Sequence, residues 1–455
     1  MSTACSSTDP VRERVVAALW DSDTLNDAFS ALVDCGGRFA GTASELRARE
    51  VLVERMARLS NATVRRIAYP VQGWTRGPCS LRVAGIAGEL AATSLVCSAT
   101  TPPGGLDMEI VDLGRGTADD FRRRTGSIAG KAVLVRHEFP FSVDTVHRRR
   151  KYGWAKECGA RAFLIANDLP GIGVVSGSSG RGAADDLPSL GISYEAGARI
   201  AEACARGSAR AIIEIAATRS EATGEHLVAE IPGRGDEWVV LCAHLDGHDL
   251  AESALDNASG AAVVLEVARA LAPFAGELER GLRVMFFTYE EWALYGSQVY
   301  VESLSADERA KIALAINLDT VVGSTRLNAL VSGNDGVASF VRAATSGRGA
   351  PVESVFPLAA NSDHYNFFLA GIPALRLIAG YDDRSAATRY LLTPADTRDK
   401  VDPGQLRIAA LTTAGLALAA LGATGPLAAR PNAEAVRSLL DAADPWVADR
   451  LGAVR

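Results

Sequence analysis

A chain of 455 residues, 48% hydrophobic and 22% charged, has the composition of a soluble globular protein and a length that suits two domains. Its formal net charge of -7 and lack of any long basic run argue against a nucleic-acid partner. Seven cysteines (Cys5, Cys35, Cys79, Cys97, Cys158, Cys204, Cys242), odd in number and without C-x-x-C spacing, argue against a disulfide framework and a thiolate zinc site, and fit a reducing compartment.

The N-terminus mixes Asp9, Arg12, Glu13 and Arg14 ahead of a short apolar run from Val15 to Trp20. It lacks both the basic start and the apolar stretch of roughly 7–15 residues that a secretory signal needs. The expectation is a cytoplasmic protein with no membrane partner, for which a homo-oligomer is compatible. Helical spacing of Leu46, Leu52, Val53, Met56 and Leu59 predicts a helix over 46–59, and β-branched residues predict a strand over 63–71.

From about 95 to 216 the texture changes. Short apolar strands (109–113, 132–136, 162–166, 211–215) alternate with turns rich in Gly, Pro and Ser, and 171–186 reads as a glycine-rich loop. Such a strand-rich block between two halves reads as an insert, giving segments 1–94, 95–216 and 217–455. Within it, Arg148-Arg149-Arg150-Lys151 reads as a solvated helix face. Beyond Glu225, strands at 237–242, 282–288 and 313–318 alternate with a helix at 257–271. That alternation predicts an α/β fold with a doubly wound, mixed but mainly parallel sheet. A helix over 406–421 closes the sheet, and 432–451 reads as an exposed helix. The apolar stretch 409–423 is too short to span a bilayer.

Ligands of open α/β sheets bind beyond the carboxyl ends of the strands, and the acidic and imidazole groups of this chain fall there. His244-Leu245-Asp246 follows one apolar strand, Glu290-Glu291 a second and Asn317-Leu318-Asp319 a third, while Asp256-Asn257-Ala258-Ser259-Gly260 opens a helix. Each has an ordinary reading: a core histidine, a solvated glutamate pair, a helix cap. Together, next to buried strands where unpaired carboxylates are costly, they form a donor set suited to a divalent cation.

These segments resemble the cocatalytic zinc exopeptidases, the family of bacterial leucyl aminopeptidases and plasma glutamate carboxypeptidase. Its H-x-D, D-N-x-S-G, E-E and N-x-D motifs match in order, Gly36 to Thr42 is similar to its G-x-R-x-x-G-[ST] segment, and the insert resembles its β-rich protease-associated domain. The resemblance implies a zinc hydrolase of peptide or amide bonds acting on small substrates. Asp256 would bridge two Zn2+ ions, His244 and Asp319 completing one and Glu291 binding the other. Glu290 would be the general base, and Asp246 would hydrogen-bond His244 and fix its tautomer.

One position departs from the family. Its late metal-binding histidine, in an H-T-x-x-D-T segment, corresponds to Leu392 in Leu392-Thr393-Pro394-Ala395-Asp396-Thr397. Leucine cannot bind a metal, so either one zinc remains or another histidine substitutes. The replacements on offer are His364 and His248, the latter otherwise a residue lining the substrate cleft. Arg376 is a candidate for a substrate carboxylate. A single-zinc amidohydrolase or aminoacyl cyclase, and a non-catalytic scaffold, are the alternative functions.

Overall fold

The computed structural model describes residues 9–20, 23–180, 182–183, 185–207, 209–346 and 351–443. Helices Asp9–Trp20, Thr24–Val33 and Ala43–Met56 lead into the first strand. The strands are β1 (Thr63–Val83), β2 (Ala92–Ser94), β3 (Leu106–Asp112), β4 (Ala132–Arg136), β5 (Ala162–Ala166), β6 (Ser189–Ile192), β7 (Ala209–Ile231), β8 (Trp238–His244), β9 (Gly281–Phe287), β10 (Ile312–Leu318), β11 (Leu327–Leu330), β12 (Glu353–Val355) and β13 (Ala374–Ala379).

They form one continuous sheet in the order β12-β11-β13-β10-β8-β9-β7-β3-β4-β5-β6-β2, with β1 paired to β7. Two parallel sets, β9-β8-β10-β13 and β3-β4-β5-β6, are joined through β7, which is antiparallel to both β9 and β3. Strands β8 and β10 are buried at nearly every position and read as unbroken apolar runs, as a sheet covered on both faces requires.

The expected strand over 63–71 is much longer. β1 runs to Val83, antiparallel to β7 from Thr63↔Glu230 to Val83↔Ala211. Pro70, Gly73, Gly77 and Pro78 read as breaks in the sequence, but β1 is an edge ribbon where a missing N–H is tolerated. Its only shift of register lies between Arg76 and Cys79, where Gly77-Pro78 is accommodated as a bulge.

The insert also carries helices Ala118–Arg124, Arg148–Glu157 and Tyr194–Ala205 between its strands. The second corrects an expectation. Arg148 and Lys151 are buried, not solvated. Lys151 Nζ donates to the carbonyls of Arg115 and Arg136 and pairs with Glu138, so a basic run that looks like surface is fixed inside the insert.

In the peptidase half, the helix Ser259–Leu271 is buried nearly throughout and packs with Pro403–Gly422 in the main core. Two helical stretches, Ala254–Glu277 and Pro403–Gly422, are long and apolar enough to cross a membrane, but 83% and 56% of their apolar windows lie inside the fold. The late helix thus extends the expected 406–421 by three residues at its start and one at its end, and core packing accounts for its apolarity. All six described cysteines are free, and Cys5 lies outside the described residues. The final helix covers Ala433–Ala443; the rest of the expected 432–451 segment lies outside the described residues.

Candidate metal centre

The carboxyl ends of β8, β9 and β10 meet the turn before the helix Ser259–Leu271, and one ligating side chain arrives from each of three of these places. Donor atoms of His244, Asp256 and Asp319 all lie within 4.8 Å of one another, and all three residues are buried. His244 Nε2 is 3.2 Å from Asp256 Oδ1 and 3.6 Å from Asp319 Oδ2. Donor atoms on one tetrahedral zinc, with bonds of about 2.0–2.2 Å, sit roughly 3.3 Å apart, so this trio has the dimensions of a zinc site. Among the described residues, His244 Nε2 and Asp256 Oδ1 are buried with no hydrogen-bond partner. Buried polar atoms rarely stay unsatisfied, which fits donors reserved for a cation.

The sequence explains how the trio is held. Asn257 Nδ2 donates to Leu318 O, and Asn257 Oδ1 accepts from Gly260 N and Thr320 N, tying the Asp256 turn to the end of β10. A Cβ at Gly260 would stand 2.3 Å from Asn257 Oδ1 and 2.6 Å from Leu318 O, so only glycine fits. Asp396 accepts from the backbone N–H groups of Leu255 and Asp256 at 2.7 and 3.2 Å, which gives the late T-P-A-D-T segment a clear role. Tyr289 and Thr320, directly beside Glu290 and Asp319, adopt left-handed backbone conformations at φ 61° and 60°. Non-glycine residues held there cost of order 1–3 kcal/mol each, a strain typical of functional sites.

Asp246 differs from expectation. Its carboxylate is 3.9 Å from His244 Nδ1 and instead accepts the backbone N–H groups of Glu290 and Glu291 at 3.1 and 3.2 Å. The His244 ring is anchored by the Asp246 carbonyl, 2.9 Å from Nδ1. A backbone acceptor fixes the tautomer as well as a carboxylate does, and frees Asp246 to aim the glutamate pair.

Arg376 is fully buried, and its Nη2 lies 3.0 Å from Asp319 Oδ1. It also donates to Asp319 O and Asn361 O and stacks over Phe141. The site's own carboxylate thus engages this guanidinium, which also lines a cleft beside Asp319. His364 is buried with both ring nitrogens unpartnered, and it is not a member of the His244, Asp256 and Asp319 group. His248 Nε2 approaches Glu291 Oε2 to 2.7 Å. Leu392, at φ 64°, lines that cleft together with Asp256, Glu290, Glu291 and Asp319.

Electrostatics follow burial. Burial opposes charging His244, but the carboxylates of Glu290, Asp319 and Asp256 outweigh it and hold its pKa well above the ordinary range. Burial pushes Glu290 and Glu291 well up, each helped by neighbouring carboxylates. For Asp319 burial is overcome by Arg376 and His244, which hold it well below the usual carboxylate range. Burial takes His248 down to about 4 and His364 to about 3. A surplus of buried carboxylate is what a cation would neutralise.

Sequence reasoning missed Arg148. It projects from the insert onto the cleft that Glu290, Glu291, Asp256 and Asp319 also line. It is 6% exposed, and its one hydrogen bond is from Nε to Ser178 O at 2.8 Å. Among the described residues no carboxylate pairs with it. Gly177 makes room: a Cβ there would lie 2.2 Å from the guanidinium carbon.

The comparisons agree with this architecture. The profile of Peptidase family M28 matches residues 226–417, and that of the PA domain matches 88–200. The chain is 30% identical over 329 residues to a probable leucine aminopeptidase 2 of Aspergillus fumigatus, covering 68% of this chain and 62% of that protein. It is 37% identical over 175 residues to leupeptin-inactivating enzyme 1 of Streptomyces exfoliatus (38% and 40%), and 27% identical over 381 residues to aminopeptidase YwaD of Bacillus subtilis (82% and 78%). The match thus spans less than two thirds of the first two relatives. Among solved structures, a Peptidase M28 precursor from Shewanella amazonensis SB2B superimposes with a TM-score of 0.77 at 24% identity, covering 93% of this chain and 98% of that one. An aminopeptidase from Aneurinibacillus sp. strain AM-1 gives 0.67 at 24%, covering 92% and 97%; both share the fold. The chain thus carries a peptidase family M28 domain over residues 226–417 and, ahead of it, a PA domain over residues 88–200.

Proposed function

We propose that this chain is a zinc-dependent hydrolase that cleaves small peptides or amides, with the metal held by His244, Asp256 and Asp319. The observation that carries the reading is the trio of buried donors at zinc-like spacing, two of whose atoms have no hydrogen-bond partner. Zinc bound there supplies Lewis-acid polarisation of the scissile carbonyl and acidifies water.

The remaining chemistry belongs to the chain. Glu290 takes the proton of the attacking water and returns it to the leaving amine. Burial and the charge of Glu291 raise its proton affinity, which suits a group that must first accept and then donate. Asp246 positions Glu290 by holding its backbone N–H. Phe141, Leu294, Leu391 and Leu392 line the cleft and exclude water.

The names of the relatives support an aminopeptidase-type reaction, and Arg148 narrows it. A buried guanidinium without a carboxylate partner, facing the cleft, favours a substrate whose own carboxylate lies near the scissile bond, as in a dipeptide. We take the insert, set at 95–216 by sequence texture, to be the element that closes the cleft over such a substrate. The six free cysteines support a reducing, cytoplasmic location. The test is hydrolysis of leucyl dipeptides and leucinamide by protein stripped with chelator and then restored with zinc. Turnover indifferent to stripping would defeat the proposal.

A further inference from the structure

His248 lies on the loop after β8, four residues beyond His244 and outside the trio above. Its ring is 4% exposed, and neither ring nitrogen has a hydrogen-bond partner. Glu291 Oε1, also buried, has none. Yet His248 Nε2 and Glu291 Oε2 stand 2.7 Å apart. No hydrogen bond joins the two atoms, and an ordinary imidazole–carboxylate pair would leave fewer nitrogens and oxygens without a partner.

The loop is built to hold the ring in place. His248 N donates to Ser253 Oγ at 2.8 Å, and Ser253 Oγ donates back to His248 O at 3.2 Å. Buried Arg38 donates to the carbonyls of Leu245, Glu252 and Ser253 at 3.0, 2.8 and 2.6 Å, clamping both ends of the loop. Gly37 passes so close that a Cβ would stand 2.1 Å from His248 O. The Gly37-Arg38 segment thus fixes the backbone that carries His248. Asp256, already a member of the trio, lines the same cleft as Glu291.

We propose that His248 and Glu291, with Asp256 shared between the two positions, hold a second divalent cation, His248 supplying the imidazole that Leu392 cannot. This rests on the metal-centre reading above. It places the imidazole on the β8 loop, four residues after His244, instead of on the segment after the sheet. Zinc accepts a nitrogen and carboxylate oxygens with water completing its shell. A shift of a few tenths of an ångström in either side chain opens the 2.7 Å gap towards the roughly 3.3 Å between donors on one zinc.

The experiment is metal stoichiometry of the full chain, by elemental analysis and by titration with Zn2+ alone, and the visible absorption of the Co2+-loaded protein. Wild type should bind two equivalents. His248→Ala should lose one and change the cobalt spectrum, and His248→Ala with Leu392→His should regain it. Thermal unfolding of each variant confirms that it folds, and His248→Gln provides a ring-free alternative of similar volume. Equal stoichiometry in wild type and both His248 variants, whether one or two, overturns the proposal. The separate variant His244→Ala tests the first position: if it keeps every equivalent, the metal-centre reading itself has failed, whatever the His248 variants show.

Discussion

Arg376 Nη2 and Asp319 Oδ1 lie 3.0 Å apart inside the protein, and Thr320 Oγ1 takes the same oxygen at 2.9 Å. That leaves Asp319 Oδ2 to face His244, so the pairing converts a potentially bidentate carboxylate into a single directed donor. Removing the guanidinium uncovers a buried charge. Arg376→Met should therefore destabilise the metal-free protein by about 3–5 kcal/mol, read from urea unfolding in chelator. Zinc should restore part of the loss, because a bound cation again neutralises Asp319.

Glu290 is the proposed proton carrier and contributes no ligand atom. Glu290→Gln should lower kcat by roughly 10²–10⁴-fold while zinc content stays at the wild-type value. Steady-state kinetics beside elemental analysis separate the two effects. Unchanged kcat would remove Glu290 from the mechanism.

The metal-free centre should make stability fall as pH rises. The folded pKa of His244 is raised by its carboxylate neighbours, against burial. Its stabilisation is complete below the unfolded value near 6.5 and is lost as pH climbs through the folded one. Glu290, Glu291 and Asp363, the last pushed up to about 7 by burial, act in the same direction because each must ionise in a buried place. Thermal unfolding in chelator should thus show Tm falling between pH 6 and 9. Zinc, which takes the place of the proton, should flatten the slope.

Gly37→Ala tests the loop clamp. The new methyl would meet His248 O at 2.1 Å and Ala251 O at 2.6 Å, both backbone atoms that cannot swing aside. A loss of about 1–3 kcal/mol is expected from overpacking, measured by chemical denaturation.

Arg148 has a different signature. Arg148→Ala should raise KM for a free dipeptide by about 10-fold or more, the worth of one hydrogen bond to a charged group. KM for the matching dipeptide amide should scarcely move. An equal effect on both would assign Arg148 to packing alone.

The convergence of His244, Asp256 and Asp319 was legible in the sequence because His244 and Asp319 sit where an apolar strand stops and Asp256 stands just before an apolar helix, and burial there makes a charge conspicuous. Partners were harder to read. Asp246 was expected to hold the His244 ring; the structure gives that task to its carbonyl and turns its carboxylate to the Glu290-Glu291 backbone. A backbone acceptor leaves no trace in residue identity. Arg376 and Arg148 read as candidates for a substrate and for solvent because an arginine, alone or in a basic run, looks the same in either place; burial is settled by residues far away, here Asp319 and Gly177. The length of β1 was hidden by Gly77-Pro78, which break an isolated strand but not one paired along its whole edge.

That unbroken pairing of β1 with β7 also governs how the cleft can open. A cap hung on two loose linkers swings as a unit, and its contacts with the floor come and go. Here the cap grows out of a ribbon hydrogen-bonded from Thr63↔Glu230 to Val83↔Ala211, so a large swing would have to twist or unzip strands. On the proposed dipeptide reading, that tie sets the reach between Arg148 and the metal position, and a bulge-deepening change at Gly77-Pro78 is where a longer peptide would first be admitted.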